Sequence, residues 1–310
     1  MASPDLRQKG LGLSDAPRIT LSNIVRECMK ENQVMNNMYI VSTFTDKKTQ
    51  GNPAGVIMDS ENLSNEQKKL IVGKTGYSEC AFVEKTNIDK TVTVKFFSKN
   101  GEVGFCGHAL LAAAHVLGKE YTIETASGTI NPIFQEDGII DIAYPELIGC
   151  TDVLLESAHR IIGSHVRHNL VVGTPVIIQV GKSKKIIIQV KSFDVLVKMQ
   201  LYEEQLVNYN KTSGSRGVYV FATCPTPEAE YAARSFNPLM GILEDPTTGI
   251  GAAMVAYYLK TPFCSIKMRN QSFKIAQGWS VRRPGRIHIR YEGDNVIIGG
   301  KAVTVKEKLV

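Results

Sequence analysis

No C-x-x-C pair occurs in this 310-residue chain, although it holds six cysteines: Cys28, Cys80, Cys106, Cys150, Cys224 and Cys264. That spacing argues against a zinc ribbon or a disulfide framework and fits reduced thiols in a cytoplasmic compartment. No uninterrupted run of Lys and Arg exceeds two residues, and the net charge is only +6. A nucleic-acid partner is therefore not expected. No stretch approaches the roughly 18 apolar residues of a membrane span, so no membrane partner is expected either. The chain also lacks G-x-x-x-x-G-K-[ST], H-E-x-x-H and G-x-S-x-G, the patterns of P-loop, zincin and nucleophile-elbow chemistry. What is abundant is apolar: 43% of residues are hydrophobic against 21% charged. A sizeable core can form, and at about 150 residues per domain the length suggests two domains.

Residues 1–37 carry mixed charges and no period-two run, with a short helix expected over 24–29. They lack the continuous apolar segment of a secretory peptide and hold acids that a transit peptide avoids, so they read as an extension. From Met38 the pattern is dense. Strands are expected over 38–44, 55–58, 81–84, 91–97, 121–124, 129–134 and 139–143. Ser64 with Gln67 three residues on is a capping box, opening a helix that runs to about Gly76. The run over 109–117 is Ala-rich with almost no charge, which predicts a helix buried on most sides. A helix over 151–162 is expected next, then strands over 170–179, 185–189, 194–198 and 218–223, and later over 265–267, 286–291, 296–298 and 302–306.

The segment over 106–117 aligns with that over 248–259 at an offset of 142 residues, close to half the chain. Each is a Gly-bearing loop, a small-residue helix and then strands. A period that long is no solenoid. It predicts an α+β fold of two pseudo-symmetric domains, each a curved antiparallel sheet or barrel around one central helix. The expected division is an extension over 1–37, a first domain over 38–150 completed by a C-terminal strand over 301–310, and a second over 151–300.

Gly at the start of a helix exposes backbone N–H groups where the macrodipole favours an anion. Gly107 and Gly249 with Gly251 would then contact a carboxylate; alternatively they only permit close packing. Glu79, between a helix end and an apolar strand, is a candidate proton carrier or an edge-strand carboxylate in solvent. His108 at the first helix start is a candidate neutral imidazole or a packing residue. Asp245, before Pro246, is a second carboxylate or a loop cap. Cys106 would gain acidity at a helix N-terminus, but a two-thiol racemase needs an opposing Cys, and none stands near 245–250. The pair His165 and His168 has near-metal spacing without a Cys or carboxylate nearby and reads as a solvated loop. The stretch over 182–185 reads as a charged hairpin turn.

Phe44-Thr45-Asp46, the segment over 51–56, Ser78-Glu79-Cys80-Ala81-Phe82, the segment over 102–109, and Arg234 to Pro238 leading into Glu244-Asp245-Pro246-Thr247-Thr248-Gly249 together resemble the PhzF-type isomerases. These proteins share the diaminopimelate epimerase fold. Gln277-Gly278, Arg283-Pro284 and Gly299-Gly300 match the family's C-terminal signatures, and the likeness covers about 38 to 310. The resemblance implies an active site between the two halves, no metal or organic cofactor, and a homodimer. It assigns Glu79 as the proton-shuttling base, with His108 and Asp245 beside it as further catalytic residues. Asn52, Gly107, Gly249, Ile250 and Gly251 become substrate-binding positions for a small carboxylate. Two residues depart from the pattern: Cys80 replaces a Thr, and Ile250 replaces the Ser that closes the D-P-x-T-G-S motif. The implied function is cofactor-independent isomerisation of a small carboxylate-bearing metabolite. The alternatives are a catalytically weak anion-binding protein and a thiol-dependent epimerase.

Overall fold

The computed structural model describes residues 36–163, 170–264 and 271–310. The expected extension up to residue 35, the histidines at 165 and 168, and the strand expected over 265–267 lie outside the described residues. Residues Asn36–Val310 form one compact unit built on two sheets.

The first sheet runs Ala302–Leu309, Asn37–Thr43, Asn52–Ile57, Glu79–Lys85, Thr91–Ser98, Thr122–Thr125 and Gly128–Ile130, with Gly101–Val103 paired beside Thr91–Ser98. The second runs Leu147–Asp152, Val176–Val180, Ser183–Gln189, Val218–Thr223, Tyr231–Asn237, Ser272–Gln277, Gly285–Glu292, Asn295–Gly300, Ile140–Ala143 and Ile133–Phe134, with Ile242–Asp245 beside Tyr231–Asn237. Most pairings are antiparallel, but each sheet also holds two parallel pairs. A helix crosses over between the strands of every parallel pair, as parallel pairing demands. The order of strands and crossovers is similar in both halves, although the second carries two helices, Phe193–Lys198 and Glu203–Ser213, where the first has Asn65–Thr75, so the repeat extends beyond the aligned helices.

Those helices are Gly107–Leu117 and Gly249–Leu259, in the register the 142-residue offset requires. Their small apolar side chains are buried on nearly every face, and both contribute to one continuous core drawn from both sheets. The outer faces are covered by other helices. Asn65–Thr75 begins with the expected Ser64–Gln67 capping box and ends on Gly76 at φ 73°. On the second sheet Leu155–Ile161, Phe193–Lys198 and Glu203–Ser213 close a second core.

Several local expectations are corrected. Residues 194–198 are helical because Ser192 caps the segment by accepting from the Val195 N–H; the short alternating pattern suited either period. The helix expected over 151–162 starts only at Leu155, since 147–152 is drawn into a strand by the Val176–Val180 ladder. Sheet membership also changes earlier than residue 150: Ile133–Phe134 and Ile140–Ala143 pair in the second sheet. The chain returns to the first sheet when Ala302–Leu309 joins Asn37–Thr43. Among the described residues no helix is long and apolar enough to cross a membrane.

Candidate active site

Glu79 is the first residue of its strand, and period-two alternation puts it on the face of Ala81, toward the central helix, while Cys80 points to the outer core. His108 is the second residue of Gly107–Leu117, and Asp245 ends the strand Ile242–Asp245. Together with Cys106, Gly107, Thr248, Gly249 and Ile250 they line one cavity of about 160 Å³. Both helix N-termini open onto it. Neither N-cap residue, Cys106 or Thr248, makes a side-chain capping bond, and the first amides of each helix, at Gly107, Gly249 and Ile250, belong to residues that line the cavity.

His108 Nε2 lies 3.8 Å from Glu79 Oε2, and Nδ1 lies 3.3 Å from Cys106 Sγ. The Nε2 atom is buried without a hydrogen-bond partner among the described residues. Burial lowers the His108 pKa, opposed by the charge of Asp245, and favours the neutral ring. Burial raises Glu79, while the Ser78 hydroxyl and the Lys185 charge pull it down. Burial raises Asp245 too, opposed first by His108 and then by the Thr248 hydroxyl. The Asp245 carboxylate is firmly held: Asn52 Nδ2 donates to Oδ1 at 2.8 Å, and Thr248 Oγ1 donates to Oδ2 at 2.6 Å.

The other expected positions divide. Asn52 lines a neighbouring cleft instead of this cavity, and its amide also donates to the Thr247 carbonyl at 2.8 Å. Gly251 is off the cavity as well, packed where a Cβ would strike the Tyr219 ring. Gly107 and Gly249 do line the cavity, yet packing alone would demand both. A Cβ on either would collide with the Tyr144 hydroxyl, which lies between the two helix starts.

Cys106 behaves differently from the helix-terminus expectation. Burial, reinforced by the charge of Glu79, pushes its thiol well above the ordinary range and outweighs the dipole. Glu79, Cys106 and His108 each offer a ligand atom within 4.8 Å of the others. As a metal ligand Cys106 would bind as the thiolate, giving up its proton on binding.

Two site residues were not foreseen. Gln277 accepts from Tyr219 Oη at 2.9 Å and donates to the Asp245 carbonyl at 2.8 Å, tying two strands to the Thr248 cap. Lys185 overturns the reading of 182–185 as a turn only. It sits in the strand Ser183–Gln189 on the face shared with Ile187, 5% exposed, with its side chain in the cavity. Burial lowers its pKa to about 8, against the attraction of Asp245 and Glu79. In the unfolded chain it titrates near 10.4, so between about pH 8 and 10 the folded state sheds a proton that the unfolded state keeps. Stability relative to a Lys185→Met variant should therefore rise across that window. Urea denaturation of both proteins at several pH values checks this; parallel curves would contradict it.

A family model described as "Phenazine biosynthesis-like protein" matches residues 41–308. The chain belongs to this phenazine biosynthesis-like family. An uncharacterized isomerase of Clostridium acetobutylicum is 31% identical over 88% of this chain and 98% of its own length. The Bacillus subtilis "Uncharacterized isomerase YfhB" is 27% identical over 84% of this chain and 91% of its own. The crystal structure of a PhzF-family protein from Bacillus anthracis superposes with a TM-score of 0.77. It is 24% identical and covers 89% of this chain and 99% of that one, a likeness that establishes the fold. Within the phenazine biosynthesis-like family this chain carries Ile250 at the mouth of the second helix, a partly buried apolar side chain on the cavity wall.

Proposed function

We propose that this chain is an isomerase of a small carboxylate-bearing metabolite, moving one proton between carbons with Glu79 as the acid–base group. The observation that carries the reading is the meeting of Glu79 and His108 in a secluded cavity onto which two uncapped helix N-termini open. Family membership and the isomerase names of its relatives support the reaction class.

In this reading the amides of Gly107, Gly249 and Ile250 hold the ligand's carboxylate at the positive ends of the helices. Glu79 takes a proton from one carbon, the double bond shifts along the ligand, and the carboxylic acid returns the proton to a second carbon. Carbon–hydrogen and oxygen–hydrogen bonds balance, and no oxidant is required. In this reading the ring proton of neutral His108 sits on Nε2, 3.8 Å from Glu79, while Nδ1 faces the Cys106 sulfur. His108 is then a donor for charge developing on the ligand. Asp245 favours positive character on His108 and braces Thr248 at the second helix start.

Deuterium incorporation from deuterated water into unsaturated carboxylates with acidic C–H bonds tests the reading. The absence of exchange from every acid that demonstrably binds would favour a catalytically weak anion-binding protein. Ile250 is the observation on that side, since an apolar side chain supplies no hydroxyl beside the anion. Cys106→Ala should retain most exchange activity and lose about 1 kcal/mol of stability. A thousandfold fall in turnover with folding intact would restore a thiol mechanism.

A further inference from the structure

We infer that Lys185 receives an anionic group of the substrate, so that the substrate is a dianion with a second carboxylate or a phosphate besides the carboxylate at the helix termini. The inference rests on reading this cavity as a substrate site and extends it to substrate class.

A buried ammonium is costly unless a charge faces it. The fold treats its other deeply buried lysine that way: Lys68, 2% exposed, is ion-paired with Glu84 and lies over the rings of Phe82 and Phe97. Lys185 is buried to a similar degree, yet among the described residues its hydrogen-bond acceptors are neutral. They are the Asn237 side-chain oxygen and the Arg216 carbonyl, 3.2 Å away. Two acceptors leave one N–H of the ammonium for a ligand.

Its surroundings agree. Lys182 and Arg216, both exposed, line the same cavity. The cavity's acids are Glu79 and Asp245, and both oxygens of Asp245 already accept hydrogen bonds from Asn52 and Thr248. Against these two carboxylates the cavity is lined by four cationic side chains, Lys182, Lys184, Lys185 and Arg216. At neutral pH Lys185 stays protonated, since burial lowers its pKa only to about 8. The helix termini and Lys185 reach the cavity from different elements, the two central helices and the strand Ser183–Gln189, which fits a ligand charged at two places.

Succinate and butyrate share a four-carbon chain and differ by one carboxylate, which makes them suitable probes for calorimetric titration of the full chain. Wild type should bind succinate at least ~10-fold tighter than butyrate, the scale of one charge-assisted hydrogen bond. Lys185→Met should bring the two acids to within about 2-fold of one another, while Lys185→Arg keeps part of the preference. Thermal melts check folding, and Lys185→Gln replaces the Met variant if that one unfolds. Inorganic phosphate that displaces succinate from wild type identifies the second group as able to be a phosphate; failure to displace it restricts the group to a carboxylate. No preference in wild type, no binding of either acid at ~50 mM, or a preference that survives loss of the amine overturns the inference. A shifted pH profile of exchange with the preference intact also overturns it, because Lys185 would then only tune Glu79. Since the readout is binding, a lysine-dependent preference in a protein without proton exchange leaves this inference standing while the isomerase reading falls.

Discussion

Glu79→Gln should lower both deuterium exchange into substrate and isomerisation by at least ~10³, while the protein folds and still binds carboxylates. A base that removes a proton from carbon must rest ionised and yet be basic enough to accept it. At Glu79 burial raises the pKa, whereas Ser78 and Lys185 lower it, and this opposition suits a group that must both take and return a proton. Gln keeps the volume and one acceptor oxygen but cannot carry the proton. Acid–base groups contribute about 10²–10⁴ in rate, and a sole carrier belongs at the upper end. Exchange followed by NMR beside ligand titration on one preparation measures both halves of the prediction. Retained exchange would route the proton through His108, whose Nε2 lies 3.8 Å from the Glu79 carboxylate.

Gly107→Ala should destabilise the fold by about 3 kcal/mol, the upper range of overpacking, and lower the melting temperature by roughly 6–12 °C. The added methyl group would enter the space of the Tyr144 hydroxyl and ring carbon. Tyr144 has little room to retreat, since it is 5% exposed and also stands where Gly249 would place a Cβ. Its ring packs edge-on against Phe105 at 5.1 Å. Tyr144→Phe removes the colliding oxygen and should recover part of the loss, so the double mutant should be more stable than the sum of its single changes implies. Strict additivity would mean that the helix start relaxes away from Tyr144. The control Gly118→Ala, at φ 81° with open space around it, pays only for backbone strain.

The repeat and its two helices were readable because a helix buried on all sides must be built of small apolar residues, and two copies of that rule appear 142 residues apart. The Ser64–Gln67 cap was readable because its bonds span only three residues. Glu79 and His108 could be named as candidates from their places at a strand and a helix start. Their separation could not, because it follows from how the strand and the central helix pack. Lys185 shows the limit most clearly. In the run 185–188 a period of two assigns Lys185 and Ile187 to one face, but says nothing about which face meets the central helix.

The family, the pairing of two similar halves, and the acid–base candidates were thus determined by the sequence itself, since composition, short-range hydrogen bonds and motif order are local properties of the chain. Tertiary structure alone decided that Asn52 spends its amide on Asp245, 193 positions away, and that Tyr144 fixes both helix starts. It also decided that Cys106 is held as a thiol and that a lysine from an apparent surface turn is buried in the cavity. Each depends on desolvation or contact between distant segments, and burial outweighs the local helix dipole or charge pattern once two sheets close over a site.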